Sequence, residues 1–410
     1  MRQSFLFTKT RKQPPRDEES INAKLLEQGG FVRKELAGVY SFLPLGWRVI
    51  RKIEEIIREE MEAIDGQEIF MPSLQPVASW KKTGNWDAND ILFRFKAFHT
   101  KNEYVLGPTH EEVVTPLMKE FVSSYKDLPK YVFQIQNKFR DEKRAKSGLL
   151  RGREFIMKDL YSFDTNEEQA EKYYLKAKRA YEKIYKRTGL KPLYTFAAGG
   201  TFAKYSHEFQ VETPAGEDTI FVCEACKIAI NDEIIAEQNT CPECKTKDLR
   251  ETRAIEVGNI FKLKTKYSEP FDLSYTDAEG KKHPVIMGCY GIGLGRLMGT
   301  VVEIHHDDNG IIWPKEIAPF SVHIVALTGG EKEADTLYKQ LQEKGIGVLY
   351  DDRKDVGAGE KLKDADLLGI PTRVVISERT MKEKSVEIKE RKASKISLIK
   401  LSALKSYGWN

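Results

Sequence analysis

Of the features that place a chain in a membrane or outside the cell, this sequence has almost none. No window approaches 18 consecutive apolar residues, and the opening stretch MRQSFLFTKTRKQPPR has no apolar core, which argues against a spanning helix and a secretory leader. That stretch is basic enough to mimic a mitochondrial transit peptide, but Asp17, Glu18 and Glu19 follow at once, and a cytoplasmic location is expected. Cysteine is scarce, with five in 410 residues, and four of these stand in two C-x-x-C pairs. In a cytosolic chain that spacing points to metal and not to disulfides. Net charge is small as well, only +4, so contact with a polyanion has to use local patches and not a global field. Internal repeats and low-complexity tracts are lacking. What is present is 40% hydrophobic and 31% charged residues, enough for one large core and at least one smaller one, so two or three domains are expected.

The positive charge is concentrated. Between 138 and 158, eight residues are Lys or Arg against three acids. Just upstream, YVFQIQNKFR alternates, with Phe133, Ile135 and Phe139 on one face and Gln134, Gln136, Lys138 and Arg140 on the other. The stretch 138–163 therefore reads as two antiparallel strands joined by a basic loop, whose polar face calls for a ligand or water. Arg140 and Glu142, on a shared strand face, combine a guanidinium fork for phosphate or carboxylate with an acceptor for an amino group or a metal-bound water. Arg151 and Phe155, on the returning strand, add a cation and a ring that suits a planar base. A surface ion-pair hairpin would use the same residue types, and at this point it stays open.

The stretch CEACKIAINDEIIAEQNTCPEC supplies Cys223, Cys226, Cys241 and Cys244, two pairs separated by 14 residues. Each C-x-x-C turn aims two thiolates inward, and two such turns complete a tetrahedron. Four thiolates leave no open coordination position, so the expectation is structural Zn²⁺ and not a catalytic metal. A redox pair is the other use of this spacing, but it needs a single pair in a βαβ setting. Cys289 reads as a small core residue. Elsewhere, apolar spacing predicts a long amphipathic helix over 45–64, broken by Gly66. Thr109 stands where it can cap the following helix, with Glu112 in the capping-box place and Glu111 left free. Residues 166–188 read as a helix rich in Glu, Lys and Tyr. Gly199 and Gly200 precede a strand opened by Ser206, His207 and Glu208. A Gly-x-Gly-x-Gly run before Arg296 is too generic to specify a nucleotide site. IIWPKEIAPF, 311–320, reads as a linker to a separate α/β domain with a mostly parallel sheet. Residues 382–405 hold eight Lys or Arg against three acids, which a solvated face also explains.

FRDE, a basic loop and then R-x-R-E-F-x-M-K-D-x-Y-S-F resemble motif 2 of class II aminoacyl-tRNA synthetases. The wording is most similar to the bacterial-type prolyl-tRNA synthetase family, over nearly all of the chain; only 211–254 depart from it. The resemblance implies an α+β fold in which an antiparallel sheet is flanked by helices, with a small four-cysteine zinc insert and a C-terminal α/β anticodon-binding domain. The implied domains are 1–220 with motifs 1 and 2, 221–250 as the insert, 251–315 with motif 3, and 316–410 for the anticodon. It implies a ligase that uses ATP with Mg²⁺, L-proline and tRNA(Pro), needs no membrane, and pairs as a homodimer through the motif 1 helix, strand and Pro72. Carried over to this sequence, Arg140 and Arg296 are the catalytic arginines. Arg140, Glu142, Arg151, Phe155 and Arg296 hold ATP; Thr109, Glu111, Arg140 and His207 hold proline; and Arg144 reads the acceptor end of tRNA. SHEFQ and IEVG are separated by only 44 residues, 211–254, so no separate editing domain fits, and the two C-x-x-C pairs look like closed stubs of a longer insertion. Synthetases for threonine, serine, glycine or histidine share motifs 2 and 3 but should lack the T-x-E and SHEF wording. A non-catalytic tRNA binder of the same descent should have lost Arg140, Glu142 and Arg296.

Overall fold

The computed structural model describes residues 1–410 except 16, 17, 146, 405, 406 and 410, so Lys146 of the basic loop and Lys405 of the C-terminal basic stretch lie outside the described residues. The chain divides into two compact units. One comprises Leu36–Val39 and Glu54–Thr300, the other Met1–Glu35, Tyr40–Ile53 and Val301–Asn410. The expected amphipathic helix is α1 (Pro44–Glu62), with Val49, Ile50, Ile53, Ile57 and Met61 fully buried. It ends where Asp65 takes a positive φ of 66° and the Gly66 amide returns to the Met61 carbonyl at 3.0 Å.

The larger unit is built on a nine-stranded sheet. In chain order the strands of this sheet and the helices used below are β1 (Gln67–Glu68), α2 (Glu111–Lys119), β2 (Lys130–Phe139), β3 (Glu154–Asp164), α3 (Glu167–Thr188), β4 (Leu193–Ala198), β5 (Tyr205–Glu212), β6 (Asp218–Cys223), β7 (Ile228–Asn231), β8 (Arg250–Lys264), β9 (Ile286–Gly293) and α4 (Leu294–Ile304). The strand order is β5-β4-β7-β6-β8-β9-β3-β2-β1. All neighbours are antiparallel except β4 with β7 and β1 with β2. β5 also pairs with β8, so β4, β5, β8, β6 and β7 form a closed ring of pairings. The cysteine hairpin β6–β7 is thus two strands of the main sheet and not an appended lobe.

The basic hairpin is β2 and β3, as the alternation predicts, with Lys138 opposite Phe155. Its polar face differs from expectation. Gln134 and Lys138 are completely buried and are met by Asp159 of β3, through a bond from Gln134 at 3.0 Å and an ion pair with Lys138 at 2.6 Å. Gln136 donates to the Met71 carbonyl at 3.1 Å. Buried polar groups need partners, and here the protein supplies them in place of a ligand. Arg140 and Glu142 follow the end of β2 instead of lying on it, and Arg151 precedes β3. α3 covers the sheet with a row of tyrosines: Tyr173, Tyr174, Tyr181 and Tyr185 are buried.

In the smaller unit, β10 (Val322–Ala326) runs parallel to both β11 (Val348–Asp351) and β12 (Thr372–Ile376), and β13 (Ser385–Glu390) and β14 (Ser397–Lys400) continue antiparallel. The helices α5 (Glu331–Glu343) and α6 (Ala358–Leu368) connect the parallel strands, as expected of an α/β domain. The segment 311–320 is not an exposed linker, because Trp313 and Ile317 are buried. The Trp313 indole donates to the Leu368 carbonyl at 3.1 Å, and its ring lies 5.3 Å from Phe31. The opening residues join this unit too. Arg2 bridges in parallel to Tyr350, its guanidinium bonds Asp335 and Asp352 at 3.0 and 3.2 Å, and the Ser4 hydroxyl bonds Asp352 at 2.8 Å.

Candidate active site and metal centre

A cavity of about 350 Å³ in the larger unit is walled by the β2–β3 hairpin, by β5 and β8, and by the start of α4. Arg140, Glu142, Arg151, Phe155 and Arg296 all face it. Among the described residues the half-buried Arg140 guanidinium has the Pro108 carbonyl at 3.4 Å and the Phe155 ring, 5.2 Å from its Cζ, and no carboxylate partner. Burial and the neighbouring Arg296 lower its pKa from the ordinary arginine value, an arrangement that favours arrival of an anion. Arg296 donates to the Leu150 carbonyl and to the Glu256 carboxylate, each at 2.8 Å. Burial is the largest single influence and lowers its pKa, but the carboxylates of Glu256, Asp218 and Glu217 together outweigh it and the net shift is upward. Arg151 pairs with Glu217 at 2.9 Å. Arg144 is exposed on the loop beyond.

Thr109 faces the same cavity. Its hydroxyl donates to the Glu111 carboxylate and does not cap α2, whose N-cap is His110 with no side-chain bond. Glu112 does not close a capping box either; it accepts from Thr83 at 3.0 Å and Asn85 at 2.6 Å. Glu111 is fully buried, and desolvation raises its pKa. Beneath this turn lies a tied floor. Tyr161 donates to Asp159 at 2.9 Å and accepts the His110 amide at 3.1 Å. Burial pushes the Asp159 pKa up, but Lys138 and His110 pull it further down.

His207 is a correction. Successive residues of a strand point to opposite faces, and on β5 it is Glu208 that faces the cavity. His207 is turned away from it: its Nδ1 is 2.6 Å from the Tyr174 hydroxyl, and its ring stacks on Tyr194 with centroids 4.6 Å apart. Burial, with Lys262 and Lys178 nearby, lowers its pKa to about 4. Glu208 accepts from Gln210 at 2.9 Å, Asn231 at 3.1 Å and Asn259 at 3.2 Å. Burial and the adjacent Glu256 push it up to about 8. Sequence reasoning passed over Glu256, Asn259 and Asp159 in the cavity wall. Strand phase picks Glu208 over His207, whereas nothing local announced Asp159.

The four sulfur atoms of Cys223, Cys226, Cys241 and Cys244 lie within 4.8 Å of one another, and those of Cys223 and Cys244 are 3.6 Å apart. A tetrahedron with Zn–S bonds of about 2.3 Å needs sulfurs about 3.8 Å apart, so the donor set fits zinc. The two knuckles repeat one geometry. The Lys227 amide bonds the Cys223 carbonyl and the Lys245 amide the Cys241 carbonyl, both at 2.9 Å, and both lysines take a positive φ, 55° and 63°.

Residues 93–305 match the family described as tRNA synthetase class II core domain (G, H, P, S and T), and residues 321–407 match the anticodon binding domain. A proline–tRNA ligase of Dehalococcoides mccartyi is 34% identical, with 98% of each chain covered. That alignment runs over 560 positions against 410 residues here, so the relative carries residues this chain lacks. A proline–tRNA ligase of Persephonella marina is 35% identical, with 99% of each chain covered. Among solved structures, Giardia lamblia prolyl-tRNA synthetase in complex with prolyl-adenylate shares the fold, with TM-score 0.78 over 93% of this chain and 75% of that one at 21% identity. Cryptosporidium parvum prolyl-tRNA synthetase with L-proline and AMP gives 0.77 over 94% and 73% at 17% identity.

Proposed function

The chain belongs to the proline–tRNA ligases of the class II aminoacyl-tRNA synthetases, and from that premise we propose that its cavity joins L-proline to ATP as prolyl-adenylate and passes the prolyl group to tRNA(Pro). One observation carries the residue assignment: Arg140, Arg151 and Arg296 converge with the Thr109–Glu111 turn on a single cavity. The proline carboxylate attacks the α-phosphate, pyrophosphate leaves, and no covalent nucleophile of the protein is needed. The work is alignment and charge stabilisation. Arg140 holds the reacting carboxylate and phosphate, Phe155 stacks the adenine, and Glu142, Arg151 and Arg296 fix the rest of ATP. Thr109 and Glu111 accept the secondary ammonium, and His207, turned out of the cavity, takes no part. Mg²⁺ bound with ATP supplies further neutralisation of the phosphates, and Glu142 and Glu256 are oxygen donors that the cavity offers it.

Cys223, Cys226, Cys241 and Cys244 hold a structural Zn²⁺. Arg144 meets the acceptor end of tRNA, and 316–410 reads the anticodon. A homodimer formed through motif 1 is supported by Phe70 and Leu74, which flank Pro72 and leave 77% and 48% of their surface exposed. Among the described residues no helix is long and apolar enough to cross a membrane, and the reading is of a cytoplasmic enzyme without an editing domain in the same chain. The deciding experiment is amino-acid-dependent pyrophosphate exchange with proline, threonine, serine, glycine and histidine. Exchange driven by proline above all others is expected; preference for any of the other four overturns the substrate.

A further inference from the structure

Two lines of contact run from the cysteine hairpin into the cavity. The first starts at Asn231, the last residue of β7 and 5% exposed, which donates to Glu208 at 3.1 Å. Gln210 donates to the same Glu208 oxygen at 2.9 Å and to Asp218 of β6 at 2.8 Å. Glu208 in turn accepts from Asn259 on β8, the strand that carries Glu256, the partner of Arg296. The second starts at Glu217, just before β6, which pairs with Arg151 at 2.9 Å. The Glu217 carbonyl is itself pinned by Arg253 at 2.9 Å. Both lines end at arginines assigned to ATP. Neither touches Thr109, Glu111 or Arg140.

We propose that the cysteine hairpin is a structural arm of the catalytic cavity, with Asn231 and Glu217 as positioning residues for its nucleotide side. The proposal rests on the Zn²⁺ reading of the four cysteines and extends it from fold to substrate binding. Cys223 closes β6 and pairs with Ile228 at the start of β7, so the knuckle sets where the hairpin begins, and Asn231 stands at the hairpin's other end, against Glu208. Four thiols gathered within 4.8 Å repel one another once deprotonated, and a metal turns that repulsion into a clamp. With the clamp open, the hairpin loses its fixed place between β4 and β8, Glu208 loses donors inside a buried site, and Arg151 loses its anchor. An independently folded insert would have no such effect.

The test uses the full-length enzyme purified with zinc. Metal per chain is measured by mass spectrometry, KM values for ATP and proline by pyrophosphate exchange, and hydrogen exchange over 193–198 and 205–212. Asn231→Ala removes both the bond to Glu208 and the cap that Asn231 gives the Glu233 amide at 3.1 Å; it should keep its metal and raise the ATP KM about three- to tenfold, the loss of the Glu208 bond, with the proline KM within about twofold. Glu217→Gln, outside both knuckles, should shift the same way. Chelation of the wild type should reproduce the ATP effect and speed exchange in 205–212 while 322–326 stays protected. If both variants retain metal and show an unchanged ATP KM, or if both KM values rise together, the positional claim is overturned. A wild type that binds no metal overturns the zinc reading and the clamp, and the two variants then decide the positional claim alone. If Asn231→Ala does not fold, Glu217→Gln decides it.

Discussion

Arg151 and Arg296 each hold a carboxylate, whereas among the described residues Arg140 pairs with none, which leaves it to be completed by substrate. Removing it should cost about 1.5 to 3 kcal/mol in the ground state and more where charge develops, so Arg140→Ala should lower prolyl-adenylate formation by roughly a hundredfold or more with folding intact. Exchange activity within about threefold of wild type would refute the assignment. At position 207 the sequence reading followed motif wording instead of strand phase, and chose the residue on the wrong face. Packed among Tyr174, Tyr194 and Phe196, the half-buried imidazole stays neutral until about pH 4. In the unfolded chain it takes up a proton near 6.5. Its contribution to stability is therefore complete above that value and drains away as pH falls toward 4. Urea unfolding of wild type and His207→Phe at pH 6 and pH 5 should show the difference moving toward the variant by about 1 kcal/mol, the slope of a single site. A pH-independent difference would mean that the ring is protonated in the fold. The arginines, T-x-E and cysteines were readable one by one, because each is a type of donor or acceptor with few other uses in such density. Asp159 was not, since its partner Lys138 lies 21 positions away and only pairing of the strands brings them together.

Among the elements, the β2–β3 hairpin was legible because alternation is a local signal, whereas the fate of its polar face depends on the facing strand. The ring of β4, β5, β8, β6 and β7 was hidden for the same reason: nothing in β5 announces that it pairs on both sides. Gly258 shows how closely α3 is seated on this sheet. A Cβ there would lie 2.2 Å from the Tyr185 hydroxyl and 3.1 Å from the Gly291 carbonyl, while Tyr185 is fully buried and bonded to the Val257 carbonyl at 3.2 Å. Overpacking of this kind costs about 1 to 3 kcal/mol. Gly258→Ala should lower the denaturant midpoint accordingly, and a second change, Tyr185→Phe, should recover part of the loss by removing the clashing oxygen. Failure of the double variant to recover anything would place the strain elsewhere, in the neighbouring backbone.

For the molecule as a whole, the readable part was the succession of an antiparallel sheet, implied by the resemblance, and an α/β domain, read from alternating strand and helix; the two parallel pairs within the large sheet were not foreseen. Less readable was which segments belong together. Trp313, taken for part of a linker, is a core residue. The short span between β5 and β8 bears on accuracy: alanine is smaller than proline, and each missing methylene costs only about 1 to 3 kcal/mol of discrimination. The enzyme should therefore activate alanine measurably and fail to hydrolyse preformed alanyl-tRNA(Pro) above the spontaneous rate; faster deacylation would reveal an unrecognised hydrolytic site. Arg2 and Ser4 fit at the edge of the smaller unit's sheet only once Tyr350 and Asp352 exist. A ribosome adding about 5 to 20 residues per second needs on the order of 20 to 70 s to reach them. Throughout that interval Phe5 and Phe7, 82% and 76% exposed even in the finished fold, travel on a segment without its strand partner, so a segment made early is among the last to be put in place.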